Sequence, residues 1–192
     1  MTAFAFVFPG QGSQSRGMMN GYADFAVVQA IREMKARGLR VTFYPFLLMD
    51  VPPGNTLPNP YSANAATPGQ PSFPWRGRIT CSPAAGYTGT TDKTAAAATQ
   101  VASFFGAATP AQFAVSADSV SWTGPSGDWG LRRMILHYAH LCAVAGGVDA
   151  FLIGTEMRGL TTIRSSASAY PAVTAFKALA EAGYKADARR RI

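Results

Sequence analysis

The sequence predicts an α/β fold built on buried parallel strands, and two stretches with their flanks carry that prediction. "LRVTFYPFLLMDV", residues 39–51, is almost continuously apolar and rich in β-branched and aromatic residues. "VDAFLIGTE", residues 148–156, repeats the pattern. Such runs suit strands covered on both faces, as in parallel sheets, rather than strands with one wet face. Each follows a helical segment closed by glycine, at Gly38 and at Gly146–Gly147, which gives two α/β units.

The elements follow in chain order. "FAFVFPGQGSQSRGMM", residues 4–19, drops from a strand-like run, Phe4 to Phe8, into a loop on Pro9, Gly10 and Gly12, where backbone amides can approach a ligand closely. "AVVQAIREMKARG" is a helix with Val27, Ile31 and Met34 on one face and Gly38 at its C′ position. Val41 to Met49 is the first interior strand. Seven of the thirteen prolines fall between Pro52 and Pro74, and no period survives from residue 52 to residue 92. That stretch is a long excursion, given partial order by Tyr61, Phe73, Trp75 and Tyr87. "KTAAAATQVASFFG" is a second helix, anchored by Val101, Phe104 and Phe105 and ended by Gly106. "DWGLRRMILHYAHLCAVAGG" is a third, capped by Asp128, with Leu131, Met134, Ile135, Tyr138, Leu141, Cys142 and Ala145 as one stripe. Ala150 to Gly154 is the second strand, expected beside Val41–Met49 and parallel to it. "YPAVTAFKALAEAG" is a last helix with Pro171 in its first turn. So few strands cannot close a barrel, and the order reads as a slice of a larger α/β architecture.

Composition narrows the function classes. Hydrophobic residues make up 48% of the 192, enough for a core. Charged residues make up 14%, against roughly 25% in typical globular chains, so the surface is thinly charged or meant to be covered by other protein. The net charge of +7 comes partly from Arg189–Arg191 near the C-terminus. No nucleic-acid module accompanies that cluster, so it reads as a solvated tail and not as a nucleic-acid site. Cys81 and Cys142 lie far apart, which suggests no disulfide framework and fits a reducing compartment; Cys142 reads as a small buried hydrophobe. No basic n-region opens the chain and no apolar run approaches ~18 residues, so neither signal peptide nor membrane span is expected.

The carboxylates at the exits of the two strands are the main chemical signal. Asp50 ends "FYPFLLMD" and Glu156 ends "FLIGTE". Ligands of parallel α/β folds sit at the carboxyl ends of strands, and a pair of carboxyl groups is what glycoside hydrolysis requires. The competing reading is structural: each acid caps a helix or pairs with Arg76 or Arg158. The loop aromatics stack on sugar rings in one reading and fix the loop to the body in the other. His137 and His140, three apart and near Cys142, have metal-ligand spacing but no third ligand, and read as surface or half-buried histidines. No nucleophile elbow, phosphate loop or dinucleotide fingerprint occurs, and no cofactor or metal is expected.

From about Val27 to Ala180 the chain resembles the glycoside-hydrolase-like TIM-barrel domain of gene transfer agent and phage tail hub proteins. The stretches that carry this are "VVQAIREMKARGLRVTFYPFLLMDVPPGNTLPNP", "FPWRGRITCSP", "SWTGPSGDWGLRRMILHYAHLCAVAGGVDAFLIGTEMRGLTTIR" and "SSASAYPAV". The resemblance implies a partial, incomplete TIM barrel with parallel strands, spanning residues 28–182. It also implies tail or baseplate subunits as partners, contact with cell-surface glycan, and a cytoplasmic stage before incorporation into a tail particle. In related sugar-cleaving barrels the acid/base glutamate ends the fourth strand. Glu156 matches that position, with Thr155 where those enzymes commonly have Asn, and their nucleophile lies on a later strand. Trp75, Tyr61, Arg76 and Arg158 are the residues expected to touch glycan, with Asp50 the candidate second carboxylate.

The opening differs. "MTAFAFVFPGQGSQSRGMMNGYADFAVV" resembles the N-terminus of malonyl-CoA:acyl-carrier-protein transacylases, in which the loop at Gln11 helps stabilise an acyl oxyanion through a backbone amide. That family's Gly-His-Ser-Leu-Gly nucleophile motif is absent, so the oxyanion loop lacks its serine. The chain therefore reads as a composite: a transacylase-like strand and Gly-rich loop at 1–27, the partial barrel, and a basic tail at 183–192. It is expected to be catalytically silent, a fragment of a tail hub with a structural or envelope-recognition role. The alternatives are a glycosidase acting through Glu156 and, more remotely, a truncated transacylase.

Overall fold

The computed structural model describes residues 4–7, 21–63 and 69–186. The loop at Gln11 and the arginines at 189–191 lie outside these residues. In chain order the elements are β1 (Phe4–Val7), α1 (Gly21–Ala36), β2 (Arg40–Phe43), α2 (Ala95–Phe105), β3 (Phe113–Val115), β4 (Val120–Trp122), α3 (Leu131–Val144), β5 (Ala150–Phe151), α4 (Arg158–Thr161) and α5 (Pro171–Ala186), with 3₁₀ turns at Arg76–Arg78 and Pro110–Gln112. They divide into two compact units. One draws on Met1–Phe46, Gly106–Gly154 and Ala178–Ile192, the other on Leu47–Phe105 and Thr155–Lys177.

The first unit contains a parallel sheet in the order β1-β2-β5 and an antiparallel hairpin, β3-β4. Phe4 pairs with Arg40 and Val7 with Phe43, while Thr42 and Phe43 pair with Ala150 and Phe151. The two apolar runs are thus neighbouring parallel strands, as the sequence predicts, and among the described residues the three strands close no barrel. Val41 and Phe43 are fully buried beside Val28 and Ile31 of α1 and Ile135, Leu136 and Leu141 of α3. Phe43 stacks on Phe151 at 5.8 Å between ring centroids and tilts against Tyr138 at 5.5 Å. Burying side chains of this size contributes about 1.5–3 kcal/mol each, so this cluster holds the sheet to the helices.

Both helix stops match the prediction and share one mechanism. Gly38, with φ +74°, lets its N–H reach the Lys35 carbonyl and the Leu39 N–H reach the Met34 carbonyl. Gly146, with φ +97°, repeats the arrangement at the end of α3, with Gly147 donating to Cys142. These are Schellman closures. Lys35 Nζ then donates to the carbonyls of Gly146 and Gly147, both at 2.9 Å, and so ties one closure to the other.

Several expectations need correction. The first strand is four residues long, not Val41–Met49. Pro45 lacks an N–H and cannot donate to a ladder, and the pairing stops at Phe43. The second pairs only over Ala150–Phe151, not to Gly154. Helix α1 begins at Gly21, earlier than the apolar stripe indicates. The third helix begins at Leu131 with Gly130 as its N-cap; Asp128 instead accepts from the backbone N–H groups of Gly130 (3.2 Å) and Ala107 (3.1 Å). Helix α3 is also buried on more than one stripe, since Arg133, Leu136, His137 and Ala139 are inside as well, whereas Met134 is half-buried. Its extra cover is the hairpin, absent from the predicted order: Phe113 lies edge-on to Trp122 at 5.0 Å and tilted over His140 at 5.1 Å.

His137 is neither on the surface nor half-buried; it is 1% exposed. Its Nε2–H donates to Asp24 Oδ1 at 2.9 Å, and Asp24 Oδ2 accepts the Val120 N–H at 2.9 Å. The carboxylate thereby joins α1, α3 and β4. His140 is half-buried against the Pro110 carbonyl at 3.1 Å, and burial lowers its proton affinity. Cys142 is buried, as predicted, and Cys81 is too; neither is in a disulfide.

The second unit is ordered largely by side chains. The excursion from Val51 to Thr94 holds no helix or strand among its described residues beyond the turn at Arg76–Arg78. Side-chain amides replace the missing ladder. Asn55 donates to the carbonyls of Pro52 and Gln70 and accepts from the N–H groups of Leu57 and Gln70. Gln100, on α2, both accepts from the Ser82 N–H (2.8 Å) and donates to the Ser82 carbonyl (2.9 Å). Backbone groups left without such partners would be costly.

Asp92 secures the far end of the excursion. It is 9% exposed and accepts the Arg164 N–H at 2.8 Å and Arg164 Nη2 at 2.5 Å, while Lys93 N–H donates to the Arg164 carbonyl. The Arg164 side-chain bond, above all, holds the Asp92 carboxyl below its ordinary range. A carboxyl depressed in the folded state contributes stability above its unfolded value of about 3.9, lost as pH falls through the lower folded value. Urea midpoints of the wild type are expected to fall as pH drops below about 4, and Asp92→Asn should flatten that part of the curve. An unchanged slope in the variant would refute this assignment.

Candidate functional site

Glu156 is the centre of the best-built polar site among the described residues, and two neighbouring residues hold it. Trp75 Nε1 donates to Glu156 Oε2 at 2.7 Å, and Arg76 Nη2 reaches the same oxygen at 2.9 Å. Arg76 is buried, at 6% exposure, and also donates through Nε to the Thr155 carbonyl at 3.1 Å and through Nη2 to Thr155 Oγ1 at 3.4 Å. The guanidinium therefore fixes both the backbone and the side chain of the 155–156 step. Glu156 itself takes φ +57°, a left-handed conformation that costs a residue with a Cβ about 1–2 kcal/mol. Two charge-assisted donors on one carboxylate oxygen offset that cost.

Two glycines make room for this arrangement. A Cβ on Gly77 would lie 2.4 Å from the Trp75 ring, so the indole lies directly across that glycine. A Cβ on Gly159 would lie 2.5 Å from the Ile79 carbonyl oxygen and 2.6 Å from that of Gly77. The start of α4 thus packs backbone to backbone on the 76–79 turn. Trp75 is left 53% exposed, with a rigid base and a polar edge committed to Glu156.

The other candidates are placed differently. Asp50 is exposed, seven residues past the end of β2, and no hydrogen bond or ion pair ties its side chain to Glu156. Arg158 is exposed at the first position of α4 and does not join the Glu156 pair. Tyr61 is half-buried; its hydroxyl donates to the Arg78 carbonyl at 3.0 Å, the Arg78 guanidinium sits 4.1 Å from its ring centre, and burial raises its proton affinity. It lines a groove of about 170 Å³ with Met49, Asn59, Gln70, Arg78 and Phe104. The structure therefore joins Trp75, Arg76 and Glu156, and places Tyr61 in a separate groove of the same unit.

Sequence reasoning missed Gly77, Gly159 and Thr155 as supports of the site. The pattern Trp75-Arg76-Gly77 was readable, because an indole followed two positions later by a residue without a side chain leaves room for the ring to fold back. Nothing in the sequence marks Gly159. Among the described residues no group of three or more His, Cys, Asp or Glu gathers to hold a metal, and no helix is long and apolar enough to cross a membrane.

Comparison with known proteins adds one finding. Residues 129–187, from Trp129 through the end of α5, match the model of the GTA TIM-barrel-like domain, GTA denoting gene transfer agent. No curated protein and no solved structure matches the chain. The match supports the resemblance over α3, β5, α4 and α5, and the transacylase-like opening has no such support. By sequence, residues 129–187 are similar to the TIM-barrel-like domain of proteins related to gene transfer agents.

Proposed function

We propose that the chain is part of a hub or baseplate protein of a gene transfer agent or phage tail, and that it recognises cell-envelope glycan through Trp75 and the Glu156–Arg76 pair. The observation that carries this reading is the Trp75 Nε1–Glu156 Oε2 bond at 2.7 Å beneath a half-exposed indole. A sugar ring presents apolar C–H faces and hydroxyl edges. A fixed indole suits the faces, and a carboxylate with a guanidinium beside it suits the edges. Recognition is favoured over cleavage because glycoside hydrolysis needs a second carboxyl group beside the first, whereas the groups that meet Glu156 are an indole N–H and a guanidinium. The thin charge of the chain fits a surface covered by neighbouring tail subunits.

Trp75→Ala is expected to weaken binding to an array of bacterial envelope saccharides by about tenfold or more, the equivalent of roughly 1.4 kcal/mol. Equal binding by wild type and variant would remove the proposal. Release of reducing sugar that disappears in Glu156→Gln would instead assign the glycosidase reading.

A further inference from the structure

The first unit holds a buried cation that packs against two indoles and is short of hydrogen-bond acceptors. Arg133, on α3, is 7% exposed. Its guanidinium carbon lies 3.8 Å from the centre of the Trp129 ring and 4.7 Å from that of Trp122. Trp122 is immobilised: Phe113 meets it edge-on, its Nε1 donates to the Pro125 carbonyl at 2.9 Å, and a Cβ on Gly124 would lie 2.3 Å from its ring. Trp129 is the opposite case, 67% exposed, with no hydrogen bond from its Nε1 among the described residues.

Ring stacking satisfies the faces of a guanidinium, worth up to about 2 kcal/mol when desolvated, but its N–H groups point outward in the plane and need acceptors. Among the described residues only Nη1 has one, the Asp128 carbonyl at 2.9 Å. Nε is shut off from solvent without a partner, and Nη2, on the same side of the fork, donates to nothing among the described residues. Arg133 forms no ion pair among those residues; burial pulls its proton affinity below the usual arginine range, against a smaller opposing effect of the Asp128 charge. A buried cation with an empty side-on edge is costly until an anion meets it.

We propose that the Trp122–Arg133–Trp129 clamp is a binding site for a carboxylated sugar, a uronic acid within an acidic polysaccharide. The unpartnered donors lie in the plane of the fork, where a carboxylate accepts from Nε and Nη2 together. Because Nε is closed to solvent in the unbound chain, binding requires the exposed Trp129 ring to shift aside. The ring then offers an apolar face to the sugar and its indole N–H to a hydroxyl. A glutamate side chain could meet the fork but would leave the indole face without a partner, which favours the sugar. This site lies wholly within the first unit and does not rest on the reading of Trp75.

The test is titration of the whole chain with galacturonate, glucuronate and mannuronate trimers, followed by tryptophan fluorescence and calorimetry. At least one uronate trimer is expected to bind, and Trp129→Ala should weaken it by about tenfold or more, since the exposed ring can be removed without disturbing the core. Arg133→Lys keeps the charge but not the fork and should weaken binding similarly, with circular dichroism confirming its fold; if it does not fold, Trp129→Ala decides alone. Trp75→Ala should leave this binding unchanged. Failure of every uronate to bind, equal binding by Trp129→Ala, or equal binding of the neutral galactose trimer would overturn the proposal. Equal binding of a polyglutamate peptide would overturn the sugar assignment in favour of an acidic protein segment.

Discussion

Asp24→Ala is expected to lower the unfolding free energy by about 2–5 kcal/mol, since each buried donor left without its acceptor costs about 1–3 kcal/mol. Asp24 is 3% exposed and accepts two donors, the His137 ring and the Val120 N–H. Without it, a buried imidazole N–H and a buried backbone N–H lose their acceptor together, and His137 Nδ1 already has no partner. Asp24→Asn separates polarity from shape. Its amide oxygen can serve Val120, and the imidazole can accept from its NH₂ group if the ring proton moves to Nδ1. That variant should therefore recover part of the loss. Urea midpoints for the pair measure this. An Asp24→Ala midpoint within error of wild type would show that the contact contributes little.

Gly159→Ala is expected to cost about 3 kcal/mol, near the top of the usual range for overpacking. The new methyl would meet two backbone carbonyl oxygens, at 2.5 and 2.6 Å, and backbone cannot rotate away as a side chain can. The start of α4 must then lift from the 76–79 turn, which carries Arg76. Binding should fall together with stability, and the Trp75 contribution to fluorescence should shift. Gly159→Ala binding and unfolding like wild type would mean that this packing does not position the site. The exposed Asp50→Ala should change stability little by comparison, which makes it the control.

What could be read from sequence was whatever is encoded locally. Gly38 and Gly146 announce helix ends because a Schellman closure needs only a few consecutive residues. The two buried strands announce themselves by composition, and Pro45 carried a legible early stop that the apolar run concealed. The hairpin was missed because each strand has three residues, too few to show alternation. The site was half legible. Glu156 and Arg76 stand out as candidates in the sequence, but the Trp75–Glu156 bond joins residues 81 apart, and His137 finds Asp24 across 113. Local patterns hold no record of such meetings, so His137 read as half-exposed on its helix when a carboxylate from another helix had closed over it.

The glycines beneath the indoles bear on how this chain can vary over time. Trp75 lies across Gly77 and Trp122 across Gly124, each so closely that a single added carbon would collide with the ring. In each pair the two positions constitute one inherited unit. A lineage that gains a side chain at 77 or 124 must lose or reorient the tryptophan two residues earlier, and one that has lost the tryptophan no longer needs the glycine. Among relatives, these pairs should be gained and lost together, while Trp129, exposed on a stack that any planar ring can make, should drift between aromatic types on its own.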